Sequence, residues 1–297
     1  MNHVLDIIIV NYKTKDLTIQ CIESIKNTIN VNHRVFLIDN ASKDGSVEVF
    51  KKKYKKDKKI TIIALDKNKG FAGGNNEGLK KSTAEFILLL NSDCVVHFGA
   101  IEGMVEMMSK DNKVGISTCK LQNTDGSLQA TGGYFPNLLR VLSWMVIQDV
   151  PGVDLIVKPF HPSLSYYSQQ RELDWVTGAF MLIRRKVFEE IGALDEDYFM
   201  YTEDVDYCFR AKQAGWRVVY SPKHSVTHHG GASSGREYSI LKEFEGVKIF
   251  YKKSYPQWQS VLLRFFLKTG SYLRAQCYTI LNRKTEAKIY AKAFKAL

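Results

Sequence analysis

Four carboxylates, an amide and two adjacent histidines stand where this chain could do chemistry. Asp39 ends one short apolar run, Asn91-Ser92-Asp93 ends another, Glu203-Asp204 opens a segment of helical period, and His228-His229 comes late. Hard oxygen ligands at a strand end can hold Mg²⁺ or Mn²⁺. A histidine nitrogen beside them tilts the preference toward Mn²⁺. An acidic pair in a first helical turn either complements the helix dipole or holds a carboxylate ready to take a proton. Asp39 is equally at home as a helix cap or an Asx-turn. The stretch Gly70-Phe-Ala-Gly-Gly-Asn-Asn-Glu-Gly78 invites a dinucleotide reading. It lacks G-x-G-x-x-G spacing, follows the third strand rather than the first, and has no Gly-Lys-Ser/Thr, so neither a Rossmann dehydrogenase nor a P-loop nucleotidase is expected. Cys21, Cys94, Cys119, Cys208 and Cys277 never pair as C-x-x-C. That argues against structural zinc and fits a reducing compartment.

Placing these residues requires an alternation of strands and helices. Leu5–Val10 is short, β-branched and bounded by Asn11, as a buried strand is. Leu17, Cys21, Ile22, Ile25 and Ile29 recur at helical spacing, and Val35–Ile38 runs into Asp39. Further strands are expected at Ile60–Leu65, Phe86–Leu90, Val114–Cys119, Trp175–Ile183 and Arg217–Tyr220. Helices are expected after Ser46, after the glycine stretch, from Arg185 and over Glu203–Ala214, where Asp206 and Arg210 are spaced for an ion pair. Such alternation implies a parallel sheet with helices on both faces and ligands beyond the carboxyl ends of its strands. Residues 123–170, rich in glycine, proline and aromatic residues, read as long loops. With 297 residues, 45% of them hydrophobic and 25% charged, the chain can fill a core as one large domain or two small ones. No run is long enough to span a membrane and the N-terminus does not read as a signal peptide, so a cytoplasmic location is expected.

Seven stretches, in order, resemble the family 2 glycosyltransferases of GT-A fold, and in particular the rhamnosyltransferase-like branch of bacterial surface-polysaccharide synthesis. They are Ile8–Tyr12, Ile38–Ser46, Asn68–Gly78, Leu90–Asp93, Trp175–Ala179, Tyr201–Asp206 and His228–Ser233. The resemblance implies an α/β, Rossmann-like nucleotide-diphospho-sugar transferase fold over residues 1–237, with a helical extension over 238–297. It places Asn11, Tyr12, Asp39 and Asp44 around a uracil or thymine, with Gly70 and Asn76 in the same nucleotide site. A carboxylate can accept the base's ring N–H and a tyrosine can cover its face. It makes Asp93 and His228 ligands of Mn²⁺ or Mg²⁺ under the leaving diphosphate, with His229 the alternative to His228. Where the family carries Asp-x-Asp, this chain has Asn91-Ser92-Asp93. The resemblance also gives Asp204 the role of catalytic base, in an inverting reaction, and puts Trp175, Gly178 and Glu203 on the sugar side. Rhamnose from dTDP-rhamnose is the donor it suggests first, a UDP-hexose or UDP-N-acetylhexosamine next, and a glycan or lipid-linked glycan is the acceptor. A catalytically silent nucleotide-sugar or glycan-binding module is the rival, suited to the missing carboxylate.

The charge is segregated. Residues 239–297 hold twelve Lys/Arg and three Glu, a net +9 of the chain's +11, so the first 238 residues are nearly neutral. A nucleic-acid binder would spread its charge more evenly, and none is expected. In the tail, Trp258, Leu262, Phe265, Phe266, Tyr272 and Leu273 form one helical stripe, with Arg264, Lys268, Ser271 and Arg274 on the other side. Aromatic and basic stripes together suit an anionic membrane surface, so a peripheral position on the inner face of the cytoplasmic membrane is expected.

Overall fold

The computed structural model describes residues 4–146, 158–230 and 235–297. The end of the His228–Ser233 stretch, from residue 231, lies outside the described residues, as do Pro151 and Gly152 of the expected long loops. The chain opens as β1 (Leu5–Asn11), α1 (Lys15–Thr28), β2 (His33–Asp39), α2 (Ser46–Lys53), β3 (Ile60–Ala64), α3 (Gly70–Leu79) and β4 (Phe86–Asn91). In β1, Ile7 and Ile9 face one apolar layer with Cys21, Ile22 and Ile25 of α1, while Ile8 faces the other with Ala72 and Leu79 of α3. A strand buried on both faces has no need of polar alternation, which is why the run is continuously apolar. Asp6 is the exception within it. Its carboxylate receives Arg34 Nε and Nη2, both at 2.9 Å, the Ser82 hydroxyl at 2.9 Å, and the N–H groups of Thr83 at 2.8 Å and Ala84 at 2.9 Å. Fully satisfied in this way, a buried charge is tolerated.

β5 (Cys94–Val96), α4 (Ala100–Lys110), β6 (Val114–Gln122), β7 (Leu128–Gln129), β8 (Gly132–Gly133) and α5 (Leu138–Val146) follow. Residues 123–170 therefore contain a hairpin, a helix and a short 3-10 turn at Leu164–Ser168 as well as loops. The rest is β9 (Arg171–Leu173), β10 (Trp175–Val176), β11 (Phe180–Arg184), α6 (Arg185–Ile191), α7 (Glu203–Gln213), β12 (Arg217–His228), α8 (Arg236–Ser254), α9 (Gln257–Ile280) and α10 (Lys284–Ala296).

The main sheet runs β3-β2-β1-β4-β11-β6-β12-β5. Its first four strands are parallel, as expected, but β11 is antiparallel to both neighbours, and β12 and β5 pair antiparallel. The sheet is mixed because β4 is not followed by another crossover. The chain turns at Ser92-Asp93 into β5, which leaves for the far edge. β12 also extends eight residues beyond the expected Tyr220, and its end sets His228 opposite Cys94 in the ladder. That pairing brings a late histidine to the tip of β4.

The sequence-based boundary at residue 237 falls in the first turn of α8. This helix buries Phe244, Val247, Phe250 and Tyr251 in the same apolar layer as Ile8, and α9 adds Leu263 and Leu267 to it. Arg274 turns inward rather than joining an outer basic stripe, donating to Met145 O at 3.1 Å and Tyr290 Oη at 2.8 Å, and Ser271 is fully buried.

Candidate active site

A cleft of about 650 Å³ opens beyond the carboxyl ends of β1, β2 and β4. Tyr12, Thr14, Asn40, Asn68, Gly70, Asn91, Asp93, Gly178, Glu203, Asp204 and His228 line it, with Tyr201 and Tyr238. Asn11 and Asp39 lie beneath rather than in its wall. Asn11 Nδ2 donates to Asp39 Oδ1 at 2.6 Å and to Ser42 Oγ at 3.0 Å, and Asp39 Oδ2 accepts the Ser42 N–H at 3.1 Å. These bonds tie β1 to the loop after β2 and fix where Tyr12 stands. Two expected nucleotide ligands are engaged elsewhere. Asp44 is exposed and bonds the N–H and hydroxyl of Ser46 at the start of α2, which holds its carboxyl below the usual range. Asn76 braces α3 against the 194–196 turn, donating to Leu194 O at 2.8 Å and accepting the Leu194 N–H at 3.0 Å.

Gly70 is in the cleft wall for two reasons. Its φ is +71°, and a Cβ there would lie 2.0 Å from Phe199 O. Asn40, absent from the sequence-based site, holds this turn by donating to Asn68 Oδ1 and Gly70 O and accepting the Lys69 N–H, each at 2.9 Å.

The acid pair opens α7 behind a strained turn. Tyr201 and Thr202 have φ of +70° and +73°, costly for side chains with a Cβ. They are held by α8: a Cβ on Gly246 would lie 2.4 Å from Thr202 Oγ1, and Ser239 Oγ meets Tyr201 Oη at 2.7 Å. Asp204 Oδ2 accepts the Gly178 N–H at 3.2 Å and Oδ1 that of Val205 at 2.8 Å. Burial pushes its carboxyl up to about 6 against these bonds, and the Glu243 carboxylate of α8 adds to the rise. Glu203 is buried. Burial first, and the neighbouring Asp204 charge second, raise it well above the carboxylate range. Both adjacent acids are thus raised, and a carboxyl held near 6 suits a base that ionises close to neutral pH. Asp206 accepts Arg210 Nε at 2.9 Å, the ion pair anticipated from their spacing.

The sugar-side expectation for Trp175 is not met. Its ring packs against Phe160 and His161 at 5.5 and 5.6 Å between centroids, in the core rather than the cleft wall. The absent Cβ of Gly178 makes room for the Phe71 ring, 2.7 Å from where that atom would be.

At the tip of β4, His228 Nε2 lies 3.3 Å from Asp93 Oδ1 and 3.2 Å from Asn91 Nδ2. Burial alone would raise Asp93, but the hydrogen bond and charge of His228 outweigh it and hold the carboxyl below its ordinary value. His229 meets Asp93 through its backbone N–H, 3.0 Å from Asp93 O, so the ring beside the carboxylate is that of His228. Neighbouring Cys94 is a poor third ligand. Burial keeps its thiol protonated and it points at Ala179 O, 3.4 Å away. An Oδ1–Nε2 separation of 3.3 Å suits adjacent positions of an octahedral ion, which are about 3 Å apart for bonds of ~2.1 Å. The donor set of one carboxylate and one imidazole fits Mn²⁺ or Mg²⁺.

Residues 6–192 match the family model described as Glycosyl transferase family 2. The chain belongs to that family. It is 25% identical over 297 residues to the N-acetylglucosaminyl-diphospho-decaprenol L-rhamnosyltransferase of Mycobacterium tuberculosis, covering 93% of this chain and 92% of that one. It is 28% identical over 167 residues to the rhamnosyltransferase WbbL of Escherichia coli, covering 54% and 61%. Among solved structures, the mannosyltransferase PcManGT from Pyrobaculum calidifontis, in complex with GDP-Man and Mn²⁺, aligns with all of this chain and 86% of its own, with a TM-score of 0.62 and 13% identity. The fold of this family 2 glycosyltransferase is GT-A.

Proposed function

We propose that this enzyme moves rhamnose from dTDP-rhamnose, with inversion, to a hydroxyl of a lipid-linked glycan. The observation that carries the reading is a single cleft holding both the poised Asp204 carboxylate and the Asp93–His228 pair. The acceptor oxygen attacks the anomeric carbon, the carbon–oxygen bond to the diphosphate breaks on the opposite face, and Asp204 takes the hydroxyl proton. Attack in line with the leaving group inverts the centre. Asp93 and His228 would hold a divalent cation, whose charge offsets that developing on the diphosphate. Tyr12, fixed by the Asn11–Asp39–Ser42 bonds, covers the base. The relatives' rhamnosyl chemistry supports the choice of donor.

A thermal-shift panel checks that choice, because a ligand bound only by the native state raises the melting temperature. With Mn²⁺, dTDP-rhamnose should raise it more than UDP- or GDP-sugars do. A larger rise with a UDP-sugar would replace the donor, and no rise with any nucleotide sugar would remove the donor site.

The helical tail supports a membrane-surface position for the acceptor. No helix among the described residues is long and apolar enough to cross a membrane. Yet α9 is apolar on two faces: Leu263 and Leu267 are buried, while Trp258, Val261 and Phe265 are 60 to 68% exposed. Leu139 and Val146 of α5, the helix α9 packs on, are exposed as well. An uncovered aromatic face on a segment of net +7 over 257–297 suits an anionic bilayer, where each cation near the surface contributes about 1 kcal/mol. Since α8 is core packing, the test keeps the full chain. Trp258→Glu with Phe265→Glu should abolish sedimentation with anionic vesicles at low salt and leave the melting temperature within a few degrees. Equal sedimentation of variant and wild type would discard the membrane face.

A further inference from the structure

The strand pair that brings His228 to Asp93 leaves the other side of the imidazole against a surface hairpin. β6 turns into β7 through Asn123–Ser127, with Gly126 N donating to Asn123 O at 2.9 Å and Asn123 N to Ser127 O at 2.7 Å. Gly126 sits at φ +83°, the left-handed position that such three-residue hairpin loops require. Side chains of this hairpin form a chain of hydrogen bonds whose direction is forced from one end. Asp125 Oδ1, an oxygen that only accepts, takes the Ser127 hydroxyl at 2.6 Å. The Ser127 oxygen then accepts Asn123 Nδ2 at 2.8 Å. That turns Asn123 Oδ1 toward Gln129, whose Nε2 donates to it at 2.6 Å and to the His228 carbonyl at 2.6 Å.

Both protons of the Gln129 amide are then committed. Its Oε1 stands 2.8 Å from His228 Nδ1, and an amide oxygen cannot donate, so Nδ1 carries the proton. In the neutral ring the lone pair is then on Nε2, the atom that faces Asp93 and Asn91, and the hydrogen bond and charge that His228 lends Asp93 belong to the ring with a second proton on Nε2, the proton a metal ion would replace. The Asn91 amide agrees with this from the other side, because Nδ2 presents a donor to Nε2. An imidazole with no such partner favours its proton on Nε2, the wrong nitrogen for a ligand here.

We propose that the 123–129 hairpin sets the tautomer of His228, with Gln129 as the positioning residue that makes Nε2 the metal-binding atom. The proposal rests on reading Asp93 and His228 as a divalent-cation site. Partners behind a ligating histidine orient the ring and raise its basicity, and losing one typically costs about 10- to 100-fold in metal affinity. The relay also gives the exposed Asp125 and Ser127 a role. An ionised carboxylate at its outer end keeps every amide in the chain from flipping.

Full-length wild type, Gln129→Leu, Gln129→Glu and His228→Ala are titrated with MnCl₂ by calorimetry, and the ring nitrogens of His228 are read by ¹⁵N correlation spectra without metal. Gln129→Leu should weaken Mn²⁺ about 10- to 100-fold and move the neutral ring toward the Nε2–H form. Gln129→Glu, which keeps an acceptor opposite Nδ1 but loses the donor to the Asn123 and His228 oxygens, should retain the Nδ1–H ring and lose less affinity than Gln129→Leu. If Gln129→Leu does not fold, Ser127→Ala at the exposed end should show the same drift with a loss of a few-fold. Wild-type Mn²⁺ affinity in Gln129→Leu, alongside its loss in His228→Ala, would overturn the relay and spare the metal site. Unchanged affinity in His228→Ala would overturn the metal site instead. The ring spectra, read at a pH where the ring is neutral, then decide the relay alone: a wild-type ring protonated on Nε2 and not on Nδ1 ends it, and an Nδ1–H ring lost in Gln129→Leu sustains it.

Discussion

Asp204→Asn should lower turnover by about 10²-fold or more while leaving the folded chain at least as stable at pH 8. The two effects share a cause. Burial raises the Asp204 carboxyl from 3.8 to about 6, so the native state holds this proton more tightly than the unfolded chain does. A group raised in this way contributes stability that is complete below its unfolded value near 3.8 and gone above its folded value near 6. At ~1.4 kcal/mol per tenfold in proton affinity, the ionised side chain costs the native state about 3 kcal/mol at pH 8. Asparagine removes that cost and forfeits about 1 kcal/mol, because its NH₂ faces either the Gly178 or the Val205 N–H. Denaturant midpoints should therefore favour the variant at pH 8 and converge or reverse near pH 4. The same ionisation sets the wild-type pH profile, in which kcat/KM falls tenfold per pH unit below about 6, since only the carboxylate accepts a proton. Near-normal turnover in the asparagine variant, or a profile flat from pH 5 to 8, would take Asp204 out of the mechanism.

The first half of the fold was legible because its signals are local. Ile7, Ile8 and Ile9 are buried on both faces of one strand, and a short β-branched run bounded by a turn former reads as a central strand. The glycine stretch was harder to read. It looked like a turn leading into a helix and is itself the helix, because the missing side chains of Gly74 and Gly78 let α3 lie against Val10 and Ile8 of β1. Trp175–Ile183 looked like one strand and is two. The chain breaks at residues 177–179 to aim the Gly178 N–H at Asp204, a demand made by a helix 26 residues away. The antiparallel insertion of β11 had no local signature at all.

The site divides in the same way. Asp93, His228, Glu203 and Asp204 were legible as residue types with chemistry to offer, and they do line one cleft. Asp44 and Asn76 have equally polar side chains but spend them on Ser46 and Leu194, and only tertiary geometry separates the two kinds of use. Trp175 could have been a stacking platform or core, and the packing of Phe160 and His161 on its ring decided for core. Gln129 carried no signal in sequence. Its role exists only because β12 runs on to His228 and the 123–127 turn folds back beside it. The boundary at residue 237 follows the end of the family stretches and the change in charge, whereas α8 buttresses the strained turn before Glu203, so composition marks a change of surface and not the edge of the packed core.

Asp93→Ala is expected to abolish metal-dependent donor binding, a larger effect than a family member with two carboxylates would show from losing one. Asn91 occupies the first position of the usual acidic pair, and the protonated Cys94 thiol is turned to Ala179 O. Among the described residues, the one cluster with the ligand types and spacing for a metal is Asp93, Cys94 and His228, so Asp93 supplies its only carboxylate. Removing it leaves one imidazole as the protein's hold on the ion, too little to fix a hard cation that prefers oxygen ligands. His228→Ala keeps the carboxylate and should weaken Mn²⁺ more than Mg²⁺, since imidazole matters most to the softer ion. Asn91→Asp works in the opposite direction. It places a second hard ligand within reach of the same ion and should tighten Mg²⁺ most, narrowing the preference for Mn²⁺. Calorimetry of the nucleotide diphosphate with each metal, and again after chelation, separates these outcomes. Turnover that survives chelation in wild type would show that side-chain cations neutralise the leaving group. In that case Asp93 and His228 would be an ion pair that braces the β5–β12 ladder, and Asp93→Ala would lower the melting temperature without changing the dependence on metal.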